Sequence, residues 1–467
     1  MLKNFILNSS DFVFNKKKIN TDKDPFEIFK QIYLNYENTF ILESLTGPKE
    51  LSEFSVIGFD PEFTIKFDKN KFQIYKKGKI ISKKKVRDPL TELRTILPIV
   101  NEKRLRYRYI GGAVGYVSYD AIKFWEKLPH ERTNVLFPLM EFGIYTDGVI
   151  HDRRDKAIYY FHIGKKSRLA ELERILNATP KHFDRPFSFS KPVSEETRSN
   201  FISKVKKGKD YVYEGEVFQI VLSRKFVFKI RGDPMIVYEN LRKMNPSPYM
   251  YFFKRKKRFI IGSSPEMLLR VMNGKIETFP IAGTRPITEK ESENRRLKKE
   301  LLKDKKELAE HTMLVDLARN DLGRVCKFGS VRSKELMIVK RFSHVQHIVS
   351  HIIGDLYSKY DCFDAFRSLF PAGTVSGAPK VRAMEIISEL EESSRGPYAG
   401  ALGYFSFNRC CDFAIIIRSL FINNNRAFVQ SGAGIVMDSI PRNEYLETEH
   451  KAGALFSALK ASGRQNK

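Results

Sequence analysis

The sequence predicts an α+β fold in which antiparallel β-sheets form a sandwich-like core and helices pack outside. Three observations lead there. Short segments rich in Val, Ile, Phe and Tyr recur along the chain between Gly, Pro and Lys-Gly turns, as strands do. Strand and helix patterns do not alternate strictly, as a parallel βαβ sheet would require. Hydrophobic residues make up 42% of the 467 residues and aromatics 12%, which supports a large core and excludes a disordered chain.

The elements follow in order. DPFEIFKQIYLNY carries apolar residues at helical spacing. NTFILESL and EFSVIGFD read as strands separated by a turn at Gly47 and Pro48. KFQIYKKGKII is a hairpin with a Lys-Gly turn, and YIGGAVGYVSYD a glycine-rich strand where backbones approach closely. RPFSFSKPVSEE, Arg185 to Glu196, reads as a linker and divides an N-terminal domain, residues 1–185, from a C-terminal domain, residues 186–467. Ser194 is placed to cap the next helix, with Glu195 and Glu196 in its first turn. VFQIVLSRKFVFKI, YMYFFK, RFIIGSSPEMLLRV and KIETFPIAGT are strands, the basic run from Lys254 to Arg258 marking a hairpin tip. One long helix is expected over roughly Thr288 to Asn320, and another from Pro379 in GAPKVRAMEIISELEE. YAGALGYFSF, DFAIIIRSLFI and AFVQSGAGIVM complete the strands, and a last helix runs from about Pro441 to Leu459.

The net charge of +27 invites a nucleic-acid reading, but the lysines are spread along the chain and no nucleic-acid motif accompanies them. The four cysteines form no C-x-x-C pair and read as reduced thiols. No apolar run approaches the roughly 18 residues that span a bilayer. MLKNFILNSSDF lacks a cleavage-site pattern. The expectation is a cytoplasmic protein that binds neither nucleic acid nor membrane.

Chemistry concentrates in the second half. Glu307 and Glu310 in KELAEH, and Glu444 and Glu447 in NEYLETEHK, are each spaced i, i+3 and so share a helix face. Either pair alone is also what a solvated acidic face looks like. Together, four carboxylates form an oxygen-only donor set suited to Mg2+ holding an anionic substrate. Arg418 sits inside the apolar FAIIIRSLFI, where a guanidinium needs a partner: a buried carboxylate or a bound anion. Thr374 in PAGTVSGAPK precedes a helix, and Gly432, Ala433 and Gly434 in SGAGIV let a ligand approach the backbone; both are also what plain turns look like. His347 falls among three histidines in HVQHIVSHI and is either structural or a proton donor. No P-loop, Rossmann fingerprint or nucleophile motif is present.

The segments PIAGTRP, ELAEHTMLVDLARNDLGRV, FSHVQHIVSHIIGDL, FPAGTVSGAPKVRAMEIISELEE, RGPYAGALGYF, FAIIIRS and QSGAGIVMDSIPRNEYLETEHKAGAL resemble the chorismate-utilising enzymes, and within them the large subunits of anthranilate synthases. The likeness covers residues 195 to 455; FILES followed by SVIGFDP extends it toward the N-terminus. The resemblance implies that Glu307, Glu310, Glu444 and Glu447 hold Mg2+. It implies that Arg418, Tyr398 and the backbone around Gly432, Ala433 and Gly434 bind the enolpyruvyl carboxylate, that Lys451 anchors substrate near the metal, and that Gly283, Thr284 and Thr374 complete the pocket. Glu266 and His347 are the acid–base candidates, with Thr374 beside them.

Relatives that add water to chorismate carry a lysine where this chain has Gln219, and a glutamine is no base. Relatives making aminodeoxychorismate commonly carry a nucleophilic lysine where this chain has Ala282. The resemblance therefore implies amination of chorismate by ammonia and elimination of pyruvate to give anthranilate, the first committed step of tryptophan biosynthesis; an aminodeoxychorismate synthase component I of folate biosynthesis is the alternative. It also implies a separate glutamine amidotransferase subunit in a heterotetramer. Feedback by L-tryptophan is implied at Ser44 and at Asn245, Pro246, Ser247, Tyr249 and Met250.

Overall fold

The computed structural model describes residues 13–47, 53–100, 106–130, 136–179, 186–342 and 345–466. Among them two large sheets form, one of 14 strands and one of 12. Pairing is antiparallel throughout except between Phe187–Ser190 and Gly463–Asn466. Strands from before and after residue 186 share both sheets. Asn38–Glu43 pairs with Tyr249–Arg255 in the larger sheet, and Gly112–Val117 with Ala401–Ser406 in the smaller.

The principal core lies between the sheets. It joins Phe40, Tyr251, Phe253 and Phe421 of the larger sheet to Phe63, Val114, Phe405 and Phe413 of the smaller. A second apolar layer covers the outer face of the larger sheet, where the helices Pro25–Asn35, Met235–Met244 and Pro441–Ser462 bury Phe29, Tyr238 and Leu455. Helices thus lie outside a two-sheet core, as expected. At Gly115 a Cβ would fall 2.0 Å from the Glu141 carbonyl oxygen, so the glycine-rich strand does bring backbones together. Lys77 and Gly78 both take positive φ at the hairpin turn. No described helix is long and apolar enough to cross a membrane.

Several boundaries differ from expectation. The proposed linker is strand: Phe187–Ser190 and Val193–Ser194 both pair with Gln219–Arg231. Arg185 itself, like Pro48 and His344, lies outside the described residues. Thr197, not Ser194, caps the helix Arg198–Tyr213, its hydroxyl accepting from the Asn200 amide. The long helix is two, Glu291–Leu301 and Lys305–Gly323, because Asp304 caps the second by accepting from the amides of Lys306 and Glu307.

Two sequences that read as single strands change sheets midway. RFIIGSSPEMLLRV splits at Pro265 into Arg258–Ser264 of the larger sheet and Met267–Met272 of the smaller. DFAIIIRSLFI splits into Cys411–Ile415 of the smaller sheet and Ser419–Asn423 of the larger, with Arg418 in left-handed backbone at φ 52°. These crossings are neighbours: the Ile415 amide donates to the Glu266 carbonyl and the Ser263 amide to that of Arg418. Where paired strands leave one sheet for another, the sheets part and a cleft opens.

Candidate functional site

The cleft is a cavity of about 530 Å³. Each element brings one kind of group. The crossings contribute Glu266 and Arg418. The strands Gln219–Arg231 and Arg426–Ile435 pair across ten registers and contribute Gln219, Gly432 and Gly434. The strands Ile281–Pro286 and Val345–Asp355 contribute Gly283, Thr284 and His347. The helix Lys305–Gly323 contributes Glu307 and Glu310, and the helix Pro441–Ser462 contributes Glu444, Glu447 and Lys451. Thr374 and Tyr398 complete the lining.

Every expected catalytic, substrate and acidic residue except Ala433 therefore faces one space. Ala433 is fully buried among Phe201, Ile220 and Ile435. Strand alternation sends its side chain to the face opposite Gly432 and Gly434, so only its backbone belongs to the cavity wall. The two glycines are required by space: a Cβ on Gly434 would meet Gln219 Nε2 at 2.5 Å, and one on Gly432 the Tyr398 hydroxyl at 2.8 Å.

The carboxylates come in two pairs. Glu310 accepts from Gln219 Nε2 at 3.0 Å, and Arg285 Nη1 stands 3.4 Å from Glu307. Glu447 pairs with Lys451 Nζ at 2.6 Å. Burial, then the Glu310 charge, raises the Glu307 carboxyl. Burial pushes Glu444 up to about 7, with Glu447 adding to the rise. Among the described residues no three acidic, His or Cys side chains converge at ligating distance. The donor set is nonetheless all hard oxygen, and its mutual repulsion is what a divalent cation relieves.

Arg418 donates from Nη1 to the Lys451 carbonyl at 2.9 Å, and among the described residues no carboxylate pairs with it. Of the two partners its sequence position allowed, a buried carboxylate is thus absent and the guanidinium faces the cavity. Lys451 Nζ donates to the Gly432 carbonyl at 2.9 Å, placing a second cation beside it.

His347 Nδ1 lies 2.9 Å from the Gly283 carbonyl oxygen and 3.0 Å from Thr284 Oγ1. A carbonyl only accepts, so Nδ1 carries the proton and Nε2 is the basic nitrogen. Burial, and then the Arg418 charge, depresses the imidazole. At neutral pH it is a proton acceptor rather than a donor. Glu266 is the complement: burial pushes its carboxyl up to about 7, against the Thr374 hydroxyl and Lys451.

Other wall residues escaped sequence reasoning. Lys306, Gln430, Ser431 and Ser439 line the cavity. Arg395, fully buried, donates to the Val375 and Val221 carbonyls at 2.7 and 2.6 Å and pairs with Glu391, tying two wall segments together. Its only signal was an arginine before Gly-Pro in a segment already matched as a whole.

A second, smaller cavity of about 60 Å³ lies between the sheets and is lined by Ser44, Tyr249 and Met250 with Arg108, Tyr404 and Asp412. The Ser44 hydroxyl is buried and has no hydrogen-bond partner among the described residues. Asn245, Pro246 and Ser247 are not in its lining; Asn245 donates to Ser263 Oγ at 3.2 Å, and the Ser247 carbonyl accepts from the Leu45 amide at 3.1 Å.

Residues 20–457 match the family described as chorismate binding enzyme. The chain is 44% identical over 444 residues to the anthranilate synthase component 1 of Methanothermobacter thermautotrophicus, covering 94% of this chain and 93% of the relative. Among solved structures, anthranilate synthase component I from Streptococcus pneumoniae superposes with a TM-score of 0.76 at 37% identity, over 88% of this chain and 93% of that one. The menaquinone-specific isochorismate synthase of Escherichia coli shares the fold at 18% identity and a TM-score of 0.73, over 98% of each chain.

Proposed function

The chain belongs to the family of chorismate binding enzymes, and from that premise we propose that it converts chorismate and ammonia to anthranilate and pyruvate. One observation carries the reading: Arg418, which among the described residues has no carboxylate partner, lines the same cavity of about 530 Å³ as two pairs of carboxylates, Glu307 with Glu310 and Glu444 with Glu447. That is the charge pattern a rigid dicarboxylate needs if one carboxylate is gripped by cations of the protein and the other is approached through a metal.

The enolpyruvyl carboxylate is bound by Arg418 and the amides around Gly432 and Gly434, with Tyr398 beside them. Glu307, Glu310, Glu444 and Glu447 would hold Mg2+, which when bound supplies positive charge against the ring carboxylate and the leaving hydroxyl. Ammonia forms a bond to C2 while the C4 hydroxyl departs as water, its proton coming from a group that is part acid near neutrality; Glu266 has that character. His347, neutral with a basic Nε2, receives a proton from the incoming nitrogen. The C2 proton is then lost as the C3–O bond breaks, the enolpyruvyl methylene gains a proton in exchange, and pyruvate departs from the aromatic ring. Gln219 and Ala282 both line the cavity, so at neither of those two positions does a lysine activate water or attack the ring.

Ammonia is proposed to come from a glutamine-hydrolysing partner subunit. The small cavity is proposed to take L-tryptophan as a feedback inhibitor, supported by Ser44, Tyr249 and Met250 in its wall. Incubation with chorismate, Mg2+ and ammonium tests the main proposal: anthranilate fluorescence grows. Aminodeoxychorismate as the sole product, or none, overturns it.

A further inference from the structure

A largely buried ladder of alternating charge leads from the small cavity toward the larger one. Tyr249, in the wall of the small cavity, donates its hydroxyl to Asp412 Oδ1 at 2.9 Å. Asp412 Oδ2 accepts from Arg270 Nε at 2.9 Å. Arg270 Nη1 donates to Glu277 Oε1 at 3.1 Å, and Glu277 Oε2 lies 2.8 Å from His351 Nε2. The ladder crosses four adjacent strands of the smaller sheet, Cys411–Ile415, Met267–Met272, Lys275–Thr278 and Val345–Asp355. Asp412 and Glu277 are both direct cross-strand partners of Arg270.

Its last member shares a strand with His347, four residues away and on the same face. His351 also stacks on the Phe279 ring, with centroids 4.0 Å apart. Phe279 leads directly into Pro280 and the cavity segment Ile281 to Thr284, whose Gly283 carbonyl orients His347.

Burying such a ladder is costly and does not by itself favour folding over an apolar core. Burial opposes ionisation of Glu277, yet His351 and Arg270 hold its carboxyl down at about 2. The strand at the end pairs irregularly with two of its neighbours. Its pairing with Ile281–Pro286 is irregular between Ala282 and Thr284. Its pairing with Arg332–Arg341 is irregular at two places.

We propose that Asp412, Arg270, Glu277 and His351 are positioning residues that set the strand carrying His347, so that a ligand entering the small cavity alters chorismate binding through them. The inference rests on reading the small cavity as the tryptophan site. At about 60 Å³ that cavity holds little more than water, so an amino acid must displace its wall. Tyr249 and Asp412 are in that wall and move first. A change in the Asp412 contact passes to Arg270, then to Glu277, then to His351 on the strand that carries the imidazole.

The test is the reciprocity of binding. L-Tryptophan is titrated calorimetrically into the protein with Mg2+, with and without saturating chorismate, and without ammonium so that no amination occurs. In the parent protein chorismate weakens tryptophan by a factor within the usual range of roughly 5–150. In Glu277→Gln, and separately in His351→Gln, tryptophan still binds but the factor falls toward one. Both variants lie away from the small cavity, and either one suffices if the other does not fold. An unchanged factor in a folded variant overturns the ladder and leaves the tryptophan site standing. Absence of tryptophan binding to the parent at millimolar ligand overturns both.

Discussion

Glu266→Gln tests how the cleft sets the chemistry of its acid. Glu266 stands just after Pro265, where the chain leaves one sheet for the other, and only 8% of its surface is exposed. Burial raises its carboxyl from 4.5 to about 7. The folded protein therefore keeps a proton that the unfolded chain releases between those values. A raised carboxyl contributes nothing adverse below pH 4.5 and costs stability as pH rises through the window up to 7. At 1.36 kcal/mol per unit the full effect is about 3 kcal/mol. Glutamine keeps the shape and does not titrate. Urea unfolding of both proteins at several pH values gives the difference in stability, in which groups common to both cancel. The variant should gain about 3 kcal/mol on the parent between pH 4.5 and pH 8, and should lose ammonium-dependent turnover. A difference that stays flat with pH, or grows as pH falls, refutes the reasoning that burial holds this group protonated.

Glu307→Ala or Glu447→Ala should abolish anthranilate formation with ammonium or glutamine as nitrogen source, and a chelator should do the same to the parent until Mg2+ is restored; product fluorescence reads all three. Arg418→Ala removes a charge-assisted contact worth roughly 1.5–3 kcal/mol, so KM for chorismate should rise roughly 10- to 150-fold with thermal stability little changed. Ser44→Leu fills the small cavity, so calorimetry should find tryptophan binding lost while uninhibited activity persists. The chain purified alone should make anthranilate from ammonium salts and not from glutamine until an amidotransferase subunit is added.

Much of the site was legible because its signals are local. Helix periodicity alone put Glu307 with Glu310 and Glu444 with Glu447 on common faces, and Gly432 and Gly434, read as places where a ligand approaches the backbone, line the cavity with the Gln219 and Tyr398 side chains close against them. The misreadings have a common cause. Asp304 beginning a new helix, Thr197 taking the cap from Ser194, and the strand at Phe187–Ser190 each depend on which hydrogen-bond partner tertiary contacts supply. Ala433 was grouped with its neighbours because a glycine-rich run hides the alternation of a strand.

The order of residues by itself determined the family resemblance, the two-sheet α+β class and the acidic pairs, since periodicity and turn chemistry act over a few residues. Only the tertiary structure decided that RFIIGSSPEMLLRV and FAIIIRSLFI both cross between sheets at the same place, setting Glu266 and Arg418 in the wall of one cavity. The raised carboxyl of Glu266, the Nδ1 contact of His347 with Gly283 and the ladder from Asp412 to His351 are likewise tertiary, because burial and charge pairing depend on groups far apart in the chain.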